Sequence, residues 1–530
     1  MTATAAESFA PEDLADQAAP LDALLVDAAR TPPAFDILFW NSDTTRMSAR
    51  LHADFVGLAM DDPVITPGEI TLLGVPIDLS QVEVDSYVVA GIADHLTPWQ
   101  NCYASTQLLA AGPGFVLSAV GRRTRHLRLR QLRGTDMHEG IGRARGTDYF
   151  RIGDQLTDEE RDYLRRARDF VDDEVLPVIN GFWERAEFPW PLIEKLAKVG
   201  IVGDGIEGYG CPPMSPIASG LVHMELNRGD GSLGTFLGVQ AGLAMQSIAM
   251  LGSEEQKQRW LPAMARLDKL GAFTLTEPTH GSDSVALETS ARRDGDDWVI
   301  NGAKKWIGNG TLADVVVVWA RDQADRQVKG FLVEKGAAGY DARRIDGKGS
   351  LRAVWQAEIE LADVRVPEEN RLPGATSFKD AGRVLAGTRN AVAWGALGHA
   401  TAAYDVAATY CAQRQQFGRP LVSFQIVQDR LVKMLAEVCS MQLYCLRLGR
   451  LIEEGTLTDT IAALAKMNNT RKARQVIFEA RDLLGGNGIL LDFHVMRHMA
   501  DIEAIHTYEG TETIQTLIVS REITGVGAFT

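Results

Sequence analysis

The sequence is poor in cysteine. Five cysteines (Cys102, Cys211, Cys411, Cys439 and Cys445) are spread over 530 residues, none in C-x-x-C spacing. That excludes a disulfide framework and a cysteine-rich zinc module, and it fits a reducing compartment. Basic charge is also scarce: 54 Lys and Arg against 70 Asp and Glu leave a net charge of −16. Such a balance disfavours attraction to phosphate backbones or anionic lipid, so nucleic acid is a poor partner. No apolar run reaches the about 18 residues that a membrane span needs. The segment from Met1 to Leu25 has acids but no Lys or Arg, unlike the charged start of a signal peptide. These absences predict a cytoplasmic chain. What is present, 45% hydrophobic and 23% charged residues, is an ordinary globular composition. At about 150 residues per domain the length predicts three or four domains.

Texture along the chain sets the expected boundaries. Residues 1–33 are rich in Ala, Asp and Pro and read as a mobile leader. Over 34–120, apolar runs such as Ser86 to Ile92 and Gly114 to Leu117 are bounded by Gly, Pro and Asp, which predicts buried strands of an α/β piece. Arg122, Arg123, Arg125, Arg128, Arg130 and Arg133 then crowd an Arg- and Gly-rich junction over 121–150. From 151 to 268 the pattern is helical, opening on the capping box Thr157-Asp-Glu-Glu160, with Leu164, Ala167, Val171 and Val175 on one face. Over 269–378 the runs Trp298 to Ile300, Val315 to Trp319, Gly330 to Val333 and Ala357 to Leu361 predict a β domain. Helical periodicity returns over 379–530, through Val427, Leu431, Met434, Leu435 and Val438 and a long helix near 460–484. The predicted fold is mainly α with a central β domain, in the order α-β-α.

Three patterns invite chemistry that their context does not support. Gly203-Asp-Gly-Ile-Glu-Gly208 satisfies G-x-G-x-x-G, yet helical sequence precedes it and Cys211-Pro-Pro213 follows, so it reads as a loop. His494 and His498 are spaced i, i+4, but Val495 stands where a general-base Glu would be, which favours a surface or packing role over a metal site. The Arg cluster lacks interleaved aromatics, as a solvated junction would.

Four segments carry a more specific signal: Phe273-Thr-Leu-Thr-Glu-Pro-Thr-His-Gly-Ser-Asp283, Lys305-Trp-Ile-Gly-Asn309, Arg414-Gln-Gln-Phe-Gly-Arg-Pro-Leu421, and Leu484-Gly-Gly-Asn-Gly488 followed by Thr507-Tyr-Glu-Gly-Thr511. In order and spacing, from about residue 154 to the C-terminal region, they resemble the acyl-CoA dehydrogenase family. The branch resembled is that of glutaryl-CoA dehydrogenase and short-chain acyl-CoA oxidase. The resemblance implies helical, β and helical domains around FAD, a homotetramer, and α,β-desaturation of an acyl-CoA thioester. It implies Glu509 as the base that takes the α-proton, its backbone N–H stabilising the thioester oxygen with the flavin ribityl hydroxyl. A carboxylate in an apolar, water-excluded cleft would have its pKa raised.

The same resemblance implies that the strand-loop of Phe273, Leu275, Thr276 and Ser282 runs along the flavin, with Ser282 also near CoA. Trp306, Ile307 and Gly308 would flank the ring. Arg414, Phe417 and Gln425 would reach the adenine half of FAD across a subunit interface, joined by Asp482, Gly485 and Gly486. Thr511 would contact flavin, while Arg389 and Gly510 would lie near the substrate. No metal is implied. At each position a plainer reading exists: an edge turn for 273–282, a core tryptophan for Trp306, a helix C-cap for the glycines, an intrahelical ion pair for Arg389.

Two departures from the family bear on chemistry. Most relatives have Thr where this chain has Gly308, which loses a donor to the flavin and leaves the acceptor open between an electron-transferring flavoprotein and oxygen. Glutaryl-CoA enzymes hold the distal carboxylate with an Arg, and in Asn227-Arg-Gly-Asp-Gly-Ser-Leu-Gly-Thr235 that position is Gly234. An unpaired buried carboxylate is costly, so a neutral short acyl chain is expected over glutaryl-CoA.

Residues 34–117 resemble the C-terminal part of polyhydroxyalkanoate synthases, a partial α/β-hydrolase-like fragment, through Phe35 to Arg46, Gly74-Val-Pro-Ile-Asp-Leu79 and Ala90 to Trp99. There Asp94 matches the Asp that assists a catalytic His and Cys. Neither partner is present, since the chain reads Phe115-Val-Leu-Ser-Ala-Val-Gly-Arg-Arg123 where that family continues to its His. The departure reads as a change of reading frame; an intact mass of native protein showing a start near Met137 would reject an expressed fusion. Poor order is expected of such a fragment. A granule-associated module is the remote alternative function.

Overall fold

The computed structural model describes residues 147–528 and, upstream, four short strands: β1 (Thr71–Leu72), β2 (Val75–Pro76), β3 (Tyr87–Gly91) and β4 (Gly114–Ser118). The chain divides into two units, Met1–Gln131 and Leu132–Thr530. In the first, β1 pairs antiparallel with β2 and β3 pairs parallel with β4. The leader, Asp94, the Arg cluster and the junction up to residue 146 lie outside the described residues.

The second unit opens on the expected capping box. Thr157 Oγ1 accepts the Glu160 N–H (3.2 Å) and the Glu160 carboxylate accepts the Thr157 N–H (2.8 Å), starting α1 (Asp158–Phe170). Short helices α2 (Ile179–Arg185) and α3 (Trp190–Leu196) follow, then α4 (Pro216–Gly229), α5 (Gly231–Leu251) and α6 (Glu254–Ala265). By length and composition α5 could cross a membrane, but 78% of its apolar stretch is buried inside the protein, so it is a core helix. It widens to a π-helix over Gly238–Met245.

A seven-stranded sheet comes next: β5 (Gly271–Thr274), β6 (Ser290–Asp294), β7 (Asp297–Gly308), β8 (Val315–Asp322), β9 (Val328–Glu334), β10 (Tyr340–Arg344) and β11 (Gln356–Pro367), in the order β10-β11-β7-β6-β8-β5 with β9 on β8. The unbroken apolar run Val315 to Trp319 follows from burial of both faces. Val315, Val317 and Trp319 pack on the helices before the sheet, whereas Val316 and Val318 fill a separate core between sheet faces.

The last helices are α7 (Phe378–Gln413), α8 (Gln425–Glu453), α9 (Asp459–Leu483), α10 (Val495–Thr507) and α11 (Glu512–Thr524). Glycine lets α4 lie against α7. A methyl group on Gly398 would overlap the carbonyl of Met224 and come within 2.9 Å of the Arg228 nitrogen, and one on Gly220 would overlap Trp394. Overpacking such a contact costs about 1–3 kcal/mol. Gly398→Ala is therefore expected to lower the urea midpoint followed by tryptophan fluorescence; an unchanged midpoint would show that the helices separate freely.

Candidate active site

Glu509 lies between α10 and α11 in the left-handed region, with φ 54°, and Gly510 follows at φ 85°. Its carboxylate accepts a hydrogen bond from Thr388 Oγ1 (2.6 Å) on α7. Burial pushes the Glu509 pKa up, while Thr388, Lys466 and Arg389 hold it back. The cleft is thus not purely apolar: two cations flank the acid. Lys466 on α9 is 1% exposed and donates to the carbonyls of Tyr508 and Gly510. Burial brings its pKa down to about 8, against the pull of Glu509. Arg389 meets Asp459 of α9 at 3.8 Å, so its ion pair is not intrahelical, and its buried Nε and Nη1 have no hydrogen-bond partner. Among the described residues the Glu509 N–H donates to no protein group.

A second group forms where β5 leads into the turn after it. Phe273 and Leu275 are buried in the helical core, so their side chains face away from solvent; Thr276 is half-buried and Ser282 exposed. The Lys305 N–H donates to the Thr276 carbonyl (2.9 Å), which sets this loop beside Trp306. The turn is pinned from below. Glu277 accepts the N–H groups of Glu288 (2.7 Å) and Thr289 (2.9 Å) and the Lys304 ammonium (3.0 Å). Burial opposes ionisation of Glu277, yet Lys304 and the two N–H groups hold its pKa at about 2.

A third group gathers at the C-terminal end of α7. The Tyr410 carbonyl accepts the Arg414 N–H (2.8 Å) and its hydroxyl accepts from Asn487 Nδ2 (3.0 Å), which draws Gly485 and Gly486 to the same end. Phe417 is 92% exposed, with Gln425 exposed at the start of α8. Asp482 accepts from Arg430 (2.7 Å), and Thr511 caps α11 by accepting the Ile514 N–H (3.3 Å). Among the described residues no hydrogen bond joins Arg414, Phe417, Gln425 or Asp482 to Thr276, Trp306 or Glu509.

Models described as acyl-CoA dehydrogenase N-terminal, middle and C-terminal domains match residues 157–268, 272–364 and 378–524. This chain belongs to the acyl-CoA dehydrogenase family. A crystal structure of glutaryl-CoA dehydrogenase from Mycobacterium smegmatis is 42% identical, covers 73% of this chain and 100% of its own, and superposes with a TM-score of 0.71. A glutaryl-CoA dehydrogenase of the same organism in complex with FADH2 is 38% identical, covers 73% and 99%, and has the same TM-score of 0.71. The mitochondrial short-chain specific acyl-CoA dehydrogenase of Bos taurus is 33% identical over 372 residues, 68% of this chain and 89% of that protein.

Like its family, the chain is an FAD-dependent oxidoreductase of acyl-CoA thioesters. Its residues fit that cofactor: Trp306 holds a left-handed backbone at φ 65° and is 55% exposed, and a methyl group on Gly281, Gly485 or Gly486 would meet nothing within 4 Å. A flat aromatic group and bare backbone suit a ring system and phosphate oxygens.

No motif marks Thr388, Lys466 or Gln515, which donates to the Glu509 carbonyl (2.9 Å). The available signal was Lys466 on a helix stripe of Ala462, Ala463 and Ala465, all buried. At Gly308 the structure gives a physical reason for the departure from Thr. A methyl group there would come within 2.7 Å of Val239 Cγ2 on α5. Gly308→Thr is expected to destabilise by about 1–3 kcal/mol, and Val239→Ala in the same chain to restore most of the melting midpoint. Equal midpoints for the single and double variants would break the coupling.

Proposed function

We propose that this enzyme desaturates a short, uncharged acyl chain, with Glu509 removing the α-proton. The observation that carries the chemistry is a carboxylate of raised pKa, oriented by Thr388 between Arg389 and Lys466, beside a backbone N–H that has no protein partner. The carboxylate accepts the proton, and the Glu509 N–H donates to the thioester oxygen as charge develops there. Ser282, Arg389 and Gly510 border the thioester. Phe273, Leu275, Thr276, Ser282, Trp306, Ile307, Gly308 and Thr511 would hold the flavin, which when bound supplies the acceptor for the β-hydrogen. Arg414, Phe417, Gln425, Asp482, Gly485 and Gly486 would meet the adenine half of a neighbouring subunit's FAD in a homotetramer, which accounts for so exposed a Phe417.

The acyl preference rests on Asn227. A side chain on Gly234 would overlap the Asn227 amide, which also fills the space above Gly395 (2.9 Å), so position 234 has no room for a cationic side chain to pair with a distal carboxylate. Asp204 on the same side is already engaged by His223 and Ser219 and so leaves no free cationic partner. Burial works against its ionisation, but His223 (3.2 Å) and Ser219 keep its pKa below the usual carboxylate range. A methyl group on Gly242 would lie 3.1 Å from Asp204 Oδ2 and 3.5 Å from the Thr388 methyl, so this carboxylate faces the Thr388 side of the cleft across bare backbone.

The electron acceptor in this reading is an electron-transferring flavoprotein; Gly308 supports oxygen as the second reading. We read the enzyme as cytoplasmic, domain limits near 151–268, 269–378 and 379–530, and residues 34–117 as a remnant of a polyhydroxyalkanoate-synthase-like fold, a parallel β3–β4 pair being what such a fold contains.

Anaerobic addition of butyryl-CoA is expected to bleach the flavin absorbance, glutaryl-CoA to do so more weakly, and Glu509→Gln to slow bleaching by about 10³-fold. Because only the ionised base accepts a proton, kcat/KM should rise with pH through a Glu509 pKa above the ordinary carboxylate range. Better turnover of glutaryl-CoA than butyryl-CoA would overturn the acyl assignment, and full bleaching by Glu509→Gln would overturn the base. Oxygen-stable reduced enzyme would argue against the oxidase reading.

A further inference from the structure

Glu509 and Gly510 are two consecutive left-handed residues, and the first of them carries a side chain. That conformation costs about 1–3 kcal/mol at a non-glycine position and persists only when neighbours hold it. Here the neighbours are the donors on three successive carbonyls. Lys466 Nζ binds those of Tyr508 and Gly510, and Gln515 Nε2 binds those of Glu509 (2.9 Å) and Gly510 (3.1 Å). Gly510 is required as well, since a methyl group there would overlap Gln515 Nε2.

The Tyr508 carbonyl and the Glu509 N–H belong to one planar trans peptide, so they point in opposite directions. Fixing that carbonyl on a buried ammonium aims the N–H away from α9. A cation on the carbonyl also polarises the peptide and makes its N–H a better donor.

We propose that Lys466 is the positioning residue of this active site, aiming the Glu509 N–H through the Tyr508 carbonyl while placing its positive charge beside the Glu509 carboxylate, with Gln515 as an uncharged second clamp. This rests on the reading of Glu509 as base. The groups facing Glu509 are Thr388 and Arg389 from α7, the latter with Asp459, Lys466 from α9, and Tyr508 beside it; His506 and Asp501 lie behind on α10, and Asp204 lies beyond Gly242. Among the described residues only Lys466 both touches the backbone of the turn and bears charge, so removing it should disturb geometry and ionisation together. Gln515 touches the backbone alone.

The test uses holoenzyme and two readouts. One is the pH profile of kcat/KM. The other is deuterium uptake from D2O into a 3-thia-acyl-CoA, which has an α-proton but no β-hydrogen to give. Lys466→Met is expected to lower exchange by about 10²-fold or more and to move the acid limb up by about 1 pH unit. Gln515→Leu is expected to lower exchange without moving the limb. A Lys466→Met enzyme whose limb stays in place would overturn the electrostatic part, and wild-type exchange in both variants would overturn the clamp. If Lys466→Met does not fold, wild-type exchange by Gln515→Leu still overturns the clamp. Absence of exchange in the wild type, or its persistence in Glu509→Gln, would instead remove the base assignment on which the proposal rests.

Discussion

A buried ion pair and a second buried acid, both on α10, join all three parts of the second unit. Arg497 on α10 donates to Asp230 (2.5 Å), and neither side chain reaches solvent. Asp230 at the same time caps α5 by accepting the N–H groups of Ser232 (2.8 Å) and Leu233 (3.3 Å). One turn along α10, Asp501 accepts from Trp183 Nε1 (2.9 Å) on α2 and from the Leu351 N–H (2.6 Å) in the β region. Burial, reinforced by Asp230, lifts Asp501 to about 7. A buried pair of this kind contributes little net stability but penalises any other register strongly, because a lone buried charge is expensive. The register it sets is that of α10, whose next residues are Tyr508 and Glu509.

Position is then converted into chemistry by short links. α10 delivers the Tyr-Glu-Gly turn, α7 brings Thr388 and Arg389, and α9 brings Lys466; α7 can lie close to α4 only because Gly220 and Gly398 carry no side chain. The same economy shapes the cleft. Gly234, Gly242 and Gly308 each stand where another residue occupies the space a side chain would need: Asn227, Asp204 with Thr388, and Val239.

Where reading from sequence succeeded, the information was contiguous. The capping box at Thr157, the apolar run of β8 and the Tyr-Glu-Gly-Thr turn each depend on neighbours within a few residues, so pattern and structure coincide. The raised pKa of Glu509 followed from expected burial, but the surroundings were misjudged. An apolar cleft was expected, whereas two cations face the acid, because Lys466 lies 43 residues from Glu509 and Arg389 120 residues from it, beyond any local periodicity. Arg389, expected on local spacing to find a partner within its own helix, finds Asp459 on another.

By itself the sequence determined the family, the α-β-α order and the short Tyr-Glu-Gly-Thr turn, because helix caps, strand runs and a short turn are local agreements between side chain and backbone. Tertiary structure alone decided which groups meet that turn. Lys466 is an unremarkable lysine in a helix until α9 packs its ammonium against two carbonyls of a strained backbone, and Asn227 is an ordinary asparagine until α5 presents a glycine to it. Both effects arise from desolvation and volume exclusion between distant segments, quantities that exist only once the chain has closed on itself.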